Sequence, residues 1–151
     1  MQVREATAEE HQAAAIQALA ANDLARAKAG FAQALARQPR LLVANYDLGY
    51  LLQSEGDLAG AEKHYLAALE ADPEHRASLL NLGRVYRDQQ RFGDGAALFE
   101  RALEKHPFDV DYLNNLAVFY RLDKRHDKAT ETVRRLLSRT RDNPDAYKNL
   151  A

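Results

Sequence analysis

Apolar residues recur along this chain at helical spacing, in stripes that return after 34 residues. One stripe consists of Leu79, Leu82, Gly83 and Tyr86. Its members lie at i, i+3, i+4 and i+7, so they share one face of a helix. The next stripe consists of Leu113, Leu116, Ala117 and Tyr120. The pattern therefore predicts helices that repeat at a fixed interval.

A second predicted helix follows each stripe after a short polar turn such as Gln89-Gln90-Arg91. Its inner positions also repeat every 34 residues, at Ala27, Ala61, Gly95 and Ala129 and at Phe31, Tyr65, Phe99 and Val133. Small residues allow the paired helices to approach closely, and the large ones fill the wider gaps. A period of this length indicates a stacked array of helical hairpins, in which one hairpin cannot bury its apolar face alone.

The period divides the chain into a lead-in, residues 1–7, and a single domain, residues 8–151. The predicted repeats are 8–41, 42–75, 76–109 and 110–143, with a partial fifth at 144–151. Thr7 and Glu10 have the spacing of a capping box at the start of the first helix. Pro73, Pro107 and Pro144 mark junctions, because proline opens a helix but cannot continue one.

Composition narrows the classes of function. The chain has 151 residues, no cysteine and a net charge of −1, which argues against a nucleic-acid partner. No apolar run approaches the roughly 18 residues of a transmembrane helix, and no secretory signal core is present. The five histidines are scattered, and no phosphate loop or nucleophile motif occurs. We therefore expect no enzyme activity, no metal and no cofactor.

The second repeat carries a family resemblance. It reads Asn45-Tyr46-Asp47-Leu48-Gly49-Tyr50, Gly56-Asp57, Ala61, Tyr65, Ala68 and Asp72-Pro73. This resembles the tetratricopeptide repeat, a helix–turn–helix of 34 residues. The resemblance implies an all-α, right-handed superhelical solenoid of antiparallel hairpins, whose first helices line a concave groove. Local departures are Ala14, Ala18, Gly95 and Arg141.

The family's groove positions assign the candidate peptide-binding residues. They are Tyr46, Asp47, Tyr50, Asn81, Arg84, Arg87, Asn114, Asn115, Arg121, Lys148 and Asn149. Within this set Asn81, Asn115 and Asn149 form a series at intervals of 34, similar to the asparagine ladder of O-linked N-acetylglucosamine transferases. An amide offers a donor and an acceptor, so a row of them can bind an extended peptide backbone. Alternatively, asparagine is simply common at this position of the family.

Positive charge is the second feature of the predicted groove, in Arg84, Arg87 and Arg121. We expect these arginines to lie close together and to bind the carboxylates of an acidic peptide, because guanidinium groups bind carboxylates bidentately. In the alternative they pair within the free protein with Asp88, Asp111 or Asp123.

An aromatic pair is the third feature, because Tyr46 and Tyr50 lie one helical turn apart. They either hold an apolar part of the ligand or pack against the neighbouring repeat.

The resulting hypothesis is a non-catalytic scaffold that binds a peptide or protein segment. One alternative is head-to-tail self-assembly, because residues 1–75 have a net charge of −5, residues 76–151 one of +4, and no capping helix follows. Another is the recognition arm of a longer enzyme or cell-envelope assembly protein, since a fifth repeat begins and stops at Ala151. Composition suggests a bacterial source, with a cytoplasmic or periplasmic location left open.

Overall fold

The computed structural model of the protein describes residues 3–141. Eight helices occupy this range, and no strand occurs within it. The helices are α1 (Ala8–Ala20), α2 (Leu24–Arg37), α3 (Leu42–Ser54), α4 (Leu58–Ala71), α5 (Arg76–Asp88), α6 (Phe92–Lys105), α7 (Val110–Leu122) and α8 (His126–Thr140). The all-α class predicted from the sequence is confirmed.

The chain forms two compact units, Met1–Val85 and Tyr86–Ala151, and the division falls within α5. In the first unit, α1 packs on α2, α2 on α3 and α3 on α4. In the second unit, α6 packs on α7 and α7 on α8. Packing partners within each unit are thus helices adjacent in the sequence, as expected for successive hairpins.

Side-chain hydrogen bonds cap the first turn of several helices. Thr7 accepts from the backbone N–H of Glu10, and the Glu10 carboxylate accepts from the Thr7 N–H, so the predicted capping box is present. Asp23, Asp57 and Asp109 cap α2, α4 and α7 in the same way, each accepting from an N–H in the first turn. These carboxylates also lie favourably toward the positive end of the helix dipole.

The turn inside each hairpin contains one residue with a left-handed backbone. These residues are Asn22 (φ 59°), Gly56 (φ 83°), Gln90 (φ 58°) and Lys124 (φ 59°), again at intervals of 34. Glycine and asparagine adopt this conformation readily, whereas glutamine and lysine do so at a cost. The geometry of the hairpin therefore imposes the turn even where the local sequence does not favour it.

Large rings and small residues make the core of each hairpin. Phe31, Tyr65 and Phe99 are fully buried, as the repeat predicts. A Cβ added to Gly49 would lie 3.0 Å from the Tyr65 ring, and one added to Gly30 would lie 2.8 Å from the Ala15 Cβ. The helices of the first unit therefore approach each other more closely than most side chains would allow.

Gly95 of α6 departs from the alanine that the repeat favours, and the structure shows why. A Cβ at this position would overlap the ring of Phe119 in α7. Phe119 is 2 % exposed and stacks on Phe99, with ring centroids 5.9 Å apart. The ring therefore occupies the volume that an alanine methyl group would need, and close packing leaves it little room to move.

We predict that Gly95→Ala lowers the free energy of unfolding by about 1–3 kcal/mol, because overpacking outweighs the gain in helix propensity. Gly93→Ala is the matched control in the same helix, because the nearest atom to its Cβ would be an Asp123 oxygen 4.0 Å away. The control is expected to be more stable by about 0.5 kcal/mol. Chemical denaturation measures both, and equal stabilities for the two variants would contradict this packing.

A buried hydrogen-bond network joins α3, α4 and the turn before α3. Asn45 is 2 % exposed, and its Nδ2 donates to the carbonyl oxygens of Pro39 (2.9 Å) and Leu41 (3.0 Å). Its Oδ1 lies 2.9 Å from His64 Nδ1. Because an amide oxygen only accepts, Nδ1 of His64 must carry the hydrogen. Burial lowers the pKa of His64, which favours the neutral ring.

Asn45→Ala should lower the free energy of unfolding by about 1–3 kcal/mol, since buried partners lose their hydrogen bonds. Gln33→Ala, at an exposed position of α2, provides the comparison and should change stability by less than about 0.5 kcal/mol. Urea denaturation followed by circular dichroism measures both. A loss no larger than that of the control would mean that the network contributes nothing to stability.

Candidate peptide-binding surface

The predicted site residues that fall within the described range lie on α3, α5 and α7. In the first unit, α3 carries Tyr46, Asp47 and Tyr50, and α5 carries Asn81 and Arg84. In the second unit, Arg87 lies near the end of α5, and α7 carries Asn114, Asn115 and Arg121. Lys148 and Asn149 lie outside the described residues. Each unit therefore contributes its own set of predicted site residues.

The two tyrosines of α3 differ in their surroundings. Tyr46 is half-buried, with its ring 6.1 Å from that of Tyr65 and edge-on to that of His75 at 5.2 Å. Tyr50 is 53 % exposed. Tyr46 therefore packs against other side chains of the protein, whereas the ring of Tyr50 stays accessible to a ligand.

The asparagines already take part in hydrogen bonds within each unit. Asn81 is nearly buried, and its Nδ2 donates to the Tyr46 hydroxyl at 3.4 Å. In the second unit, Asn115 Nδ2 donates to the carbonyl oxygen of Asp111 at 2.8 Å. Asn81 also forms a hydrogen bond with the Tyr65 phenol, so this buried amide is committed within the protein. Asn115 is partly exposed, and its amide group has a second N–H donor for another acceptor. A role of the asparagines in peptide binding stays a prediction.

The arginines have few competing partners inside the protein. Arg84 is exposed, and within residues 3–141 its side chain hydrogen-bonds only Asn81 Oδ1, at 3.4 Å, while its charge also acts on the Tyr65 phenol. Arg87 is exposed, and its Nε lies 3.9 Å from the Asp88 carboxylate, a loose pair of neighbouring residues. Exposed ion pairs of this kind contribute about 0–1 kcal/mol. Both guanidinium groups can therefore exchange these contacts for a ligand carboxylate.

Arg121 on α7 is also exposed. Within the described part of the chain its side chain makes no ion pair or hydrogen bond. Asp123, one of its candidate partners, pairs instead with Arg125 at 3.8 Å. The proximity of Arg84, Arg87 and Arg121 to one another stays a prediction.

Asp47 is a feature whose surroundings the sequence did not reveal. Its side chain is half-buried and makes no hydrogen bond or ion pair with any of the residues 3–141. Burial raises the pKa of this carboxyl above its ordinary value. In the sequence Asp47 only interrupts the asparagine series. The lack of a partner for the Asp47 carboxylate depends on which side chains surround it in three dimensions, and the sequence does not show this.

The second unit also has a cleft between α6, α7 and α8, with a volume of about 370 Å³. Tyr120 lines it, and its hydroxyl donates to Glu100 Oε1 at 2.5 Å while the Arg125 guanidinium lies 4.6 Å from the centre of its ring. Burial, together with the Glu100 hydrogen bond, raises the pKa of Tyr120 to about 12. This phenol is therefore neutral near pH 7 and serves to join α6 and α7.

No group of three or more His, Cys, Asp or Glu side chains in residues 3–141 is arranged to hold a metal ion. Among the described residues, no helix has the length and apolar character that crossing a bilayer requires.

The sequence matches the tetratricopeptide repeat family over residues 13–76, 46–94 and 80–146. These overlapping matches span most of the chain, so the protein belongs to the tetratricopeptide repeat family. Membership of this family supports a role as a protein-interaction scaffold. A search among curated proteins finds no significant match.

Several solved structures share the fold. MamA (AMB-1) has a TM-score of 0.76 at 18% identity, covering 87% of this chain and 72% of its own. MamA (41-end) from Desulfovibrio magneticus RS-1 has a TM-score of 0.73 at 15% identity, covering 98% and 93%. A tetratricopeptide repeat protein from Parabacteroides merdae has a TM-score of 0.76 at 18% identity, covering 94% and 56%. At these identities the likeness concerns the fold alone.

Proposed function

We propose that this protein is a non-catalytic scaffold that binds an acidic peptide or protein segment on the face presented by its first helices. The observation that carries the proposal is the set of exposed guanidinium groups on α5 and α7. Within the described residues, Arg84 and Arg121 have no carboxylate partner, and Arg87 has only a loose one.

Charge and geometry favour acidic segments over other ligands. A guanidinium group presents a planar fork of donors that matches a carboxylate, and it stays charged at every physiological pH. Arg87 and Arg121 of the second unit suit a segment with spaced acidic side chains, and Arg84 offers the same chemistry in the first unit. The second N–H group of Asn115 supplies a donor for a backbone carbonyl of that segment.

Reversing Arg84, Arg87 and Arg121 to Glu together should weaken binding of an acidic peptide by at least about tenfold, because attraction becomes repulsion at each position. The probe is a fluorescein-labelled peptide of alternating Glu and Ser, and fluorescence anisotropy measures its affinity. Arg84→Glu alone tests the first unit, and Arg87→Glu with Arg121→Glu tests the second. Circular dichroism should show unchanged helicity.

The matched control reverses three exposed arginines on second helices, Arg26, Arg101 and Arg134, and so changes the net charge equally. Affinity of the control should stay within about twofold of the native protein at physiological salt, since distant exposed charges are largely screened. An equal loss in both triple variants, or no loss in either, would refute the assignment to the first helices.

Self-assembly is the second candidate function. The charges favour it, because residues 1–75 have a net charge of −5 and residues 76–151 one of +4. Contact between the acidic half of one molecule and the basic half of another is heterologous, so it can continue from copy to copy. The end of the chain that would form such a contact lies outside the described residues.

If the protein self-assembles in this way, its mass by light scattering should rise with concentration and fall with added salt, because screening weakens contacts between exposed charges. The arginine-reversed variant, in which the basic half becomes more acidic, should assemble less than the control variant. A monomeric mass at every concentration and ionic strength excludes this candidate.

A further inference from the structure

Helix α3 exposes a narrow apolar stripe with a carboxylate in its middle. Val43, Asp47 and Tyr50 lie at i, i+4 and i+7, so they follow one face of the helix. Val43 is 42 % exposed and Tyr50 is 53 % exposed, while Asp47 between them is half-buried. Most of the neighbouring residues of α3, including Asn45, Leu48 and Gly49, lie in the core.

The Asp47 carboxylate has lost part of its hydration, and no group within residues 3–141 replaces it. Its oxygens accept no hydrogen bond, and no cation pairs with them, anywhere in the described chain. A partly buried carboxylate loses hydration without a partner to replace it, and the raised pKa of Asp47 reflects that loss. A cationic group from outside would supply the missing partner.

Arg84 of the same unit does not fill this role. Its guanidinium group donates to Asn81 Oδ1, and it makes no ion pair with Asp47. Residues 1–85 carry 8 Lys/Arg and 11 Asp/Glu, so the whole first unit has a net charge of −3. Both the local and the overall charge of the first unit therefore favour a cation at Asp47.

Each part of an arginine side chain has a matching group in the stripe. Its apolar stem can cover Val43, as long basic side chains cover apolar surface elsewhere. Its guanidinium fork can bind both oxygens of Asp47 and stack on the exposed ring of Tyr50. Lysine offers a point charge without the planar fork, so it satisfies fewer of these contacts.

We propose that the Val43–Asp47–Tyr50 stripe is a subsite for an arginine side chain of the bound segment. This inference rests on the proposed function and makes it more specific, because the partner segment then carries a basic residue as well as acidic ones. The acidic residues face the arginines of the first helices, and the basic residue faces Asp47.

The test uses Nα-acetyl-arginine amide as the probe and follows backbone amide signals of the protein by NMR. Nα-acetyl-citrulline amide, which is nearly isosteric but uncharged, serves as the reference ligand. We expect the arginine compound to shift the signals of Asp47 and Tyr50 at concentrations where the citrulline compound does not. Asp47→Asn should weaken this binding by at least about fivefold, because the ion pair is lost.

Further variants separate recognition from folding. Tyr50→Ala should weaken binding by about threefold, whereas Tyr50→Phe retains the ring and should bind as the native protein does. Glu70→Gln removes the same charge from an exposed position of α4 and should have no effect on binding. Unchanged thermal unfolding of Asp47→Asn shows that the subsite alone was altered.

Equal shifts with both compounds, or full binding by Asp47→Asn, would overturn the inference. Such a result leaves the binding of the acidic peptide to Arg84, Arg87 and Arg121 untouched, since that binding uses a different probe and different variants. Conversely, failure of the acidic peptide to bind would refute the proposed function while the NMR titration still reports on Asp47.

Discussion

The close approach of neighbouring helices at glycine positions is the constraint on which this structure depends. Gly49 leaves room for the buried ring of Tyr65, and Gly95 leaves room for Phe119. The rings fill these spaces almost completely, so each helix has one face committed to the core. The side chains that remain for recognition of a partner are those that point away from this core.

This division explains which features the sequence could predict. The hairpins, the capping box and the buried rings of Phe31, Tyr65 and Phe99 follow from residue type and period, because they depend on contacts that every repeat makes alike. The contrast between Tyr46 and Tyr50 does not, although both belong to the same predicted aromatic pair. It depends on the rings of His75 and Tyr65 lying beside Tyr46, an arrangement that the 34-residue period does not specify.

The electrostatic part of the site was the least accessible to sequence reasoning. The sequence could name Arg121 and its candidate partners, but only the structure shows Asp123 paired with Arg125 instead. It could place Asp47 among the predicted groove positions, but not reveal that this carboxylate lacks a partner within the described residues. Pairings between side chains depend on rotamers and distances of a few ångströms, which periodicity does not determine.

Within each unit, helices pack on their neighbours in the sequence, and this packing has a consequence for folding. Contacts between elements separated by one turn give a low contact order, and proteins of this kind fold rapidly. Their stability is distributed as a sum of local contributions, so segments can open separately instead of in a single cooperative step. The rate of amide hydrogen exchange in this protein should therefore vary from helix to helix. A partner bound to several helices at once would couple the opening of segments that otherwise open independently.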